Sequence, residues 1–199
     1  MIKLELKISD PQMRVINAAL EEVPRGVTRA VGAAVRRTTT TVRTRIVRAV
    51  AKDLGIAGNK LYKKGATTTP IRQRFIRADN QVSASTIVIT GKRIPLREFH
   101  PTQRRAGVSY RIGQRGRTVA PHTFIARMRS GYEGVFKRVG RSRLPIFQPM
   151  GPSVPHVAEN RPEVVALIDH EAAELLQKNL DEQTTRILAQ QQIKEGDDA

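Results

Sequence analysis

Valine and isoleucine recur at positions 27, 31, 35, 42, 46 and 50, at steps of four or seven, while Arg25, Arg29, Arg36 and Arg43 project to the opposite side. That periodicity describes an amphipathic helix with a basic back. The run Thr38 to Thr41 falls inside it. Four β-branched residues in succession lower helix propensity, so a kink or local weakness is expected there.

The flanking segments follow from equally local signals. Leu4 and Leu6 share one face with Ile2 and Ile8, a period of two that predicts an N-terminal strand. Asp10 and Pro11 end it and supply an N-cap and first-turn residue for a helix through Met13, Ile16 and Leu20, which Pro24 and Gly26 interrupt. Gly55 to Gly65 is a Gly- and Lys-rich loop, after which Thr69 and Pro70 resemble a cap and first-turn pair for a short helix through Phe75 and Ile76. The character then changes. Val82 to Thr90, Gly107 to Ile112, Thr118 to Met128 and Val135 to Val139 are short β-branched or alternating stretches separated by Gly91, the Gly113–Gly116 turn and Gly131 to Gly134. They predict an antiparallel meander. Its exit through Leu144-Pro145-Ile146, Pro149, Gly151-Pro152-Ser153 and Pro155 is too proline-dense for a central strand and reads as an extended arm or ordered loop. Asn160 and Pro162 open a final helix with Val164, Ile168, Leu175 or Leu176, Leu180, Ile187 and Leu188 on one stripe, fraying from Gln190 onward.

Helices segregated from a contiguous run of strands predict an α+β fold and not alternating βαβ units. The expected organisation is a single α+β domain over 1–199: a helical region at 10–53, a basic loop and short helix at 54–81, a β-meander at 82–140, a Pro-rich arm at 141–159 and a C-terminal helix at 160–193.

Charge narrows the partners. The chain has 199 residues, 35 Lys and Arg against 18 Asp and Glu, and a formal net charge of +17. Residues 1–53 carry 11 basic and 5 acidic groups, 54–155 carry 20 and 3, and 156–199 carry 4 and 10. A cationic middle and an anionic end suit head-to-tail pairing with further copies as well as an outside polyanion. With 39% hydrophobic residues the chain can bury a core, whereas aromatics at 4% are thin material for base-stacking platforms, so nucleic-acid contact would lean on phosphates. Cysteine is absent, which removes disulfides and thiolate sites. The N-terminus has no secretory pattern and no apolar run approaches a membrane span; a soluble, unprocessed protein is expected.

Chemistry is sparse. His100, His122, His156 and His170 have no metal-ligand spacing, and Asp79, Glu98 and Glu133 are the only carboxylates between 54 and 155. No Walker A, GxSxG or GxGxxG motif occurs, so neither catalysis nor a cofactor is expected. The candidates are contact residues instead. Gly113-Gln-Arg-Gly-Arg117, with Arg104, Arg105, Arg111 and Arg115, offers forked guanidinium donors from a loop, and Arg36, Arg37, Arg43, Arg45 and Arg48 line the helix back. Either group could track a phosphate backbone or meet an acidic subunit. Leu144, Pro145, Ile146, Phe147, Pro152, Val154 and Pro155 form a stiff apolar segment suited to packing as a tether or to docking on a neighbouring subunit.

The run Gly134-Val-Phe-Lys-Arg-Val-Gly140, then Arg143-Leu-Pro-Ile146 and Gly151-Pro-Ser-Val-Pro155, resembles the minor tail protein Z family of tailed bacteriophages and prophages. The long helix before the sheet, the Gly91–Phe99 segment and the terminal helix extend the resemblance over essentially the whole chain. It implies a non-enzymatic virion protein that completes or stabilises a long non-contractile tail near the end joining the head, similar in outline to small α+β tail-completion and head–tail joining proteins. It further implies a ring of copies, other tail and connector proteins as partners, location in the virion tail and in the host cytoplasm during assembly, and no membrane. The cationic face would then meet DNA in the tail lumen or an acidic adjoining ring. The alternative from another class is a sequence-nonspecific nucleic-acid-binding protein that acts through counterion release.

Overall fold

The computed structural model describes residues 1–64, 69–78 and 81–197; the Gly65 end of the predicted loop and Asp79 lie outside the described residues. In chain order the elements are β1 (Ile2–Lys7), α1 (Asp10–Ala19), α2 (Gly26–Leu54), a 3-10 turn (Gly58–Lys60), β2 (Ile71–Ala78), β3 (Gln81–Ile89), β4 (Arg93–Pro95) and a second 3-10 turn (Leu96–Glu98). They continue with β5 (Thr102–Arg104), β6 (Gly107–Tyr110), β7 (Thr118–Pro121), β8 (Thr123–Arg127), β9 (Glu133–Arg138), β10 (Ile146–Phe147), β11 (Met150–Ser153) and α3 (Val154–Glu159). After α4 (Pro162–Ala166) and a π-helical stretch (Leu167–Glu171) comes α5 (Ala172–Asp197). The α+β class is as expected, with an N-terminal strand, a long helix, antiparallel sheets and a C-terminal helix. Contacts gather into two compact units. A helical unit comprises residues 2–46, 72–88 and the chain from Pro162 onward, and a sheet unit comprises 47–71 and 89–161.

In the helical unit β1 buries Leu4 and Leu6 while Lys3, Glu5 and Lys7 stay exposed, and the strands are ordered β1-β3-β2. The Lys3 ammonium, hydrogen-bonded to Glu5, holds that exposed carboxyl below its usual range. The cap of α1 is Ser9 and not Asp10: its backbone N–H donates to Gln12 Oε1 at 3.0 Å. α2 and α5 run antiparallel, because Arg29 reaches Gln190 at 3.4 Å, Arg37 reaches Glu182 at 2.6 Å and Arg45 reaches Glu171 at 3.3 Å, one partner rising in number as the other falls. Between them Ala30, Val31, Ala34 and Val35 join Leu176, Leu180 and Ile187 in one core with Ile16, Leu20, Val23 and Val82.

The threonine run brings no break, and α2 is helical from Gly26 to Leu54. Thr38 and Thr39 are fully buried, and Thr39 Oγ1 donates to Val35 O at 2.6 Å while meeting Ser85 Oγ at 2.5 Å. Four threonines weaken a helix by roughly 0.5–0.7 kcal/mol each. A single buried valine or isoleucine offsets two or more of them, at about 1.5–3 kcal/mol, and Val31, Val35, Val42 and Ile46 are all buried. α5 likewise outlasts expectation, continuing to Asp197 where fraying is predicted from Gln190.

The predicted short helix after Pro70 is strand β2. The Thr69 hydroxyl does not cap a helix; it donates to Ile71 O at 3.3 Å, and Pro70 O accepts both the N–H of Thr90 at 2.8 Å and its hydroxyl at 3.0 Å. Proline here precedes the first strand residue, a place where its missing N–H loses no ladder bond.

In the sheet unit the expected single meander is three small antiparallel sheets, ordered β5-β6-β7, β10-β9-β8 and β11-β4, while β3 belongs to the helical unit's sheet. The predicted strand Thr118–Met128 divides at His122, whose φ of 59° turns the chain from pairing with β6 to pairing with β9. Of the two readings of the proline-rich exit, the ordered one holds, with short strand pairings added. Ile146 and Phe147 pair with Arg138 and Lys137 of β9, Met150 and Ser153 pair with β4, and Pro155 sits in the first turn of α3. Val154, Pro155, Val157 and Ala158 are buried. Gly151 passes Phe99, the largest fully buried side chain, where a Cβ would stand 2.4 Å from the ring.

Candidate functional site

The predicted arginines divide between the two units. In the helical unit Arg37 is paired with Glu182, and Arg43 donates to Gln73 Oε1 at 2.8 Å, so both serve the unit's own packing. Arg36 is different: it is exposed and lines a cleft of about 330 Å³ between α2 and α5. Thr28, Arg29 and Gly32 line it from α2, and Gln183, Arg186 and Gln190 from α5. Arg29 and Arg36 are seven residues apart and so share a helix face. Arg186 reaches them through the antiparallel packing of α5, and no local signal in the sequence marks it.

In the sheet unit Arg104 ends β5, Arg105 stands in the turn before β6, and both are exposed, as is Arg111. Arg115 faces a second cleft of about 510 Å³ with Lys52, Gln114 and the ion pair of Asp53 and Arg161. Its position follows from Gly113, whose N–H donates to Leu54 O at 2.8 Å beyond the end of α2. Gly113 has φ +60°, and a Cβ there would lie 2.1 Å from Asp53 O. The Gly113–Arg117 loop is therefore anchored to a helix terminus, satisfying one of its orphan carbonyls.

Arg117 departs from its expected contact role. Its guanidinium donates to Ser109 Oγ at 2.9 Å, His100 O at 2.8 Å, Thr102 Oγ1 at 2.9 Å and Ser109 O at 3.1 Å. A forked donor spent on four acceptors of its own unit is a clamp across β5, β6 and β7.

The predicted apolar segment also separates. Leu144 is 67% exposed and Phe147 47%, Pro145 is exposed, Ile146 and Pro152 are half-buried, and Val154 and Pro155 are inside. The last two pack within their own unit and present no contact surface. The exposed part is held: Val139 N–H donates to Pro145 O at 3.1 Å, and β10 is the edge strand beside β9. A short edge with Val139, Leu144 and Phe147 outward offers both unpaired backbone and apolar area.

Glu98 is paired with Lys60 at 3.0 Å, Glu133 stands opposite Arg127 across β8 and β9, and the His156 carbonyl accepts from Asn160 Nδ2 at 2.9 Å. Among the described residues no group of three His, Asp or Glu side chains could hold a metal ion, and no helix is long and apolar enough to cross a membrane.

No curated protein and no solved structure matches the chain. The profile of prophage minor tail protein Z matches residues 14–190, a span that runs from α1 into α5 and takes in both basic clefts and the β9–β10–β11 segments. On that match over most of its length, the chain belongs to the prophage minor tail protein Z family.

Proposed function

We propose that this tail protein completes a long non-contractile phage tail at the end that joins the head, and that it works by protein–protein assembly and not by catalysis. Family membership supplies the tail. The observation that carries the finer reading is the exposed apolar edge of the sheet unit, where Leu144 and Phe147 leave 67% and 47% of their surface to solvent although their backbone is fixed in and beside a strand. Preordered apolar residues lose little entropy on docking. Copies of the chain associate in a ring through that edge, and the cationic surface with Arg104 and Arg105 steers and registers a neighbouring tail or connector subunit. The anionic end of the chain provides a complementary charge on a further copy. Assembly then takes place in the host cytoplasm and ends in the virion tail.

The test is a phage deleted for the gene and complemented with wild-type or variant copies. Wild type should restore head-joined infectious particles, and Leu144→Ser with Phe147→Ser should leave separated heads and tails. Joined particles in the absence of the protein would overturn the reading.

A further inference from the structure

We propose that the cleft between α2 and α5 of the helical unit is a binding site for a phosphate group. This goes beyond the assembly role above and does not depend on it.

Three guanidiniums, those of Arg29, Arg36 and Arg186, line one concavity of about 330 Å³ with the amides of Gln183 and Gln190 and the hydroxyl of Thr28, and no carboxylate lines it. The absence of a carboxylate is not for want of acid on these helices. Glu182 and Glu171 are engaged by Arg37 and Arg45 on the neighbouring part of α2. Glu182 lies one turn before Arg186, the place from which a helix neighbour would neutralise it, and it is turned to Arg37 instead. Arg36 and Arg186 make no hydrogen bond or ion pair among the described residues. Like charges gathered in a concavity raise the local positive potential, and an oxyanion entering it removes their mutual repulsion.

The donor set suits phosphate in particular. A phosphate group presents more oxygens than a carboxylate, and forked guanidiniums from two helices together with neutral amide donors can engage them from several sides. Gly32 lines the α2 wall between Arg29 and Arg36. The chemistry is common to the backbone of a nucleic acid and to free phosphate.

The experiment uses the full chain, freed of nucleic acid with nuclease and high salt, and two probes: a duplex DNA of about 20 base pairs followed by anisotropy across a salt series, and inorganic phosphate followed by calorimetry. Arg36→Gln with Arg186→Gln should weaken duplex binding by about tenfold or more and lower the slope of log K against log salt by about two, one per lost phosphate contact. Arg141→Gln with Arg143→Gln, the same charge change on exposed residues of the sheet unit, is the control and should do less. Loss of duplex binding assigns the phosphate to a nucleic-acid backbone, and loss of inorganic phosphate binding alone assigns it to a free anion; either supports the site. Equal effects of the two double variants, including no effect of either, would overturn it. Both arginines are exposed, so unchanged circular dichroism is expected of the variant, and Arg36→Lys with Arg186→Lys, which keeps charge but not the forks, should fall between it and wild type.

Discussion

Asn179 donates from Nδ2 to Thr38 Oγ1 at 2.8 Å between α5 and α2, and both side chains are buried. The Thr38 hydroxyl points on toward Leu175 O at 3.5 Å, so one hydroxyl joins a side chain and a backbone carbonyl of the facing helix. A hydrogen bond in this place helps fix the register of two helices whose other buried contacts are aliphatic and tolerant of sliding.

Removing one partner should therefore be worse than removing both. Thr38→Val leaves a buried amide without its acceptor and should lower unfolding free energy by about 1–3 kcal/mol. The double change Thr38→Val with Asn179→Leu should recover part of that loss. A double-mutant cycle in urea, followed by far-ultraviolet circular dichroism, measures the coupling; additive losses would show that the pair does not set the register.

Two glycines of one loop should respond oppositely to alanine. At Gly113 the φ is +60° and the new Cβ would stand 2.1 Å from Asp53 O, so Gly113→Ala must displace either the loop or the end of α2. A loss of about 2 kcal/mol or more is expected. Around Gly116 nothing lies within 4 Å of an added Cβ, and Gly116→Ala should change stability by no more than about 0.5 kcal/mol. Similar thermal midpoints for the two variants would contradict the close approach.

The elements read most readily from sequence are those whose buried face is local. The Val27–Val50 stripe, the Leu4 and Leu6 alternation and the Val164–Ile187 stripe each carry their own period; the first two are single elements of the fold, and the third is helical throughout but divided into α4, the π-helical stretch and α5. β2 escapes because Arg72-Gln-Arg-Phe-Ile-Arg has no clean alternation and Thr69-Pro70 imitates a helix start. Sheet membership escapes for another reason: β3 finds β1, and β4 finds β11, across long stretches of chain, so pairing is decided by tertiary packing. The basic surface is half legible in the same way. Arg29 and Arg36 share a helix face in any reading, but Arg186 lies 150 residues beyond Arg36 and reaches the cleft only when α5 packs against α2. Arg117, indistinguishable by sequence from Arg115, is separated from it by the acceptors that the fold brings to it.

That difference between arginines of one loop is testable. Arg117→Ala removes four hydrogen bonds from the β5-β6-β7 sheet, and a loss of roughly 1–3 kcal/mol is expected, since bonds to a charged donor exceed neutral ones but the group is exposed. Arg104→Glu with Arg105→Glu touches no internal partner among the described residues and should leave the melting temperature nearly unchanged while weakening association with a neighbouring subunit. A normal melting temperature for Arg117→Ala would show that the clamp is not stabilising.

The apolar edge makes the last prediction, and it separates self-assembly from nucleic-acid binding in one measurement. Leu144 and Phe147 are exposed, so Leu144→Ser with Phe147→Ser should alter the stability of the subunit by no more than about 0.5 kcal/mol. If β10 is the contact between copies, light scattering of nuclease-treated protein at high salt should give a discrete oligomer for wild type and a monomer for the variant, with no change in either on adding duplex DNA. High salt screens the arginine surface and strengthens apolar burial, so an assembly built on Leu144 and Phe147 survives conditions that dissolve one built on charge. A wild-type chain that is monomeric there, and gains mass only with DNA at low salt, would remove this edge as the site of self-association and leave the arginines as the principal contact surface.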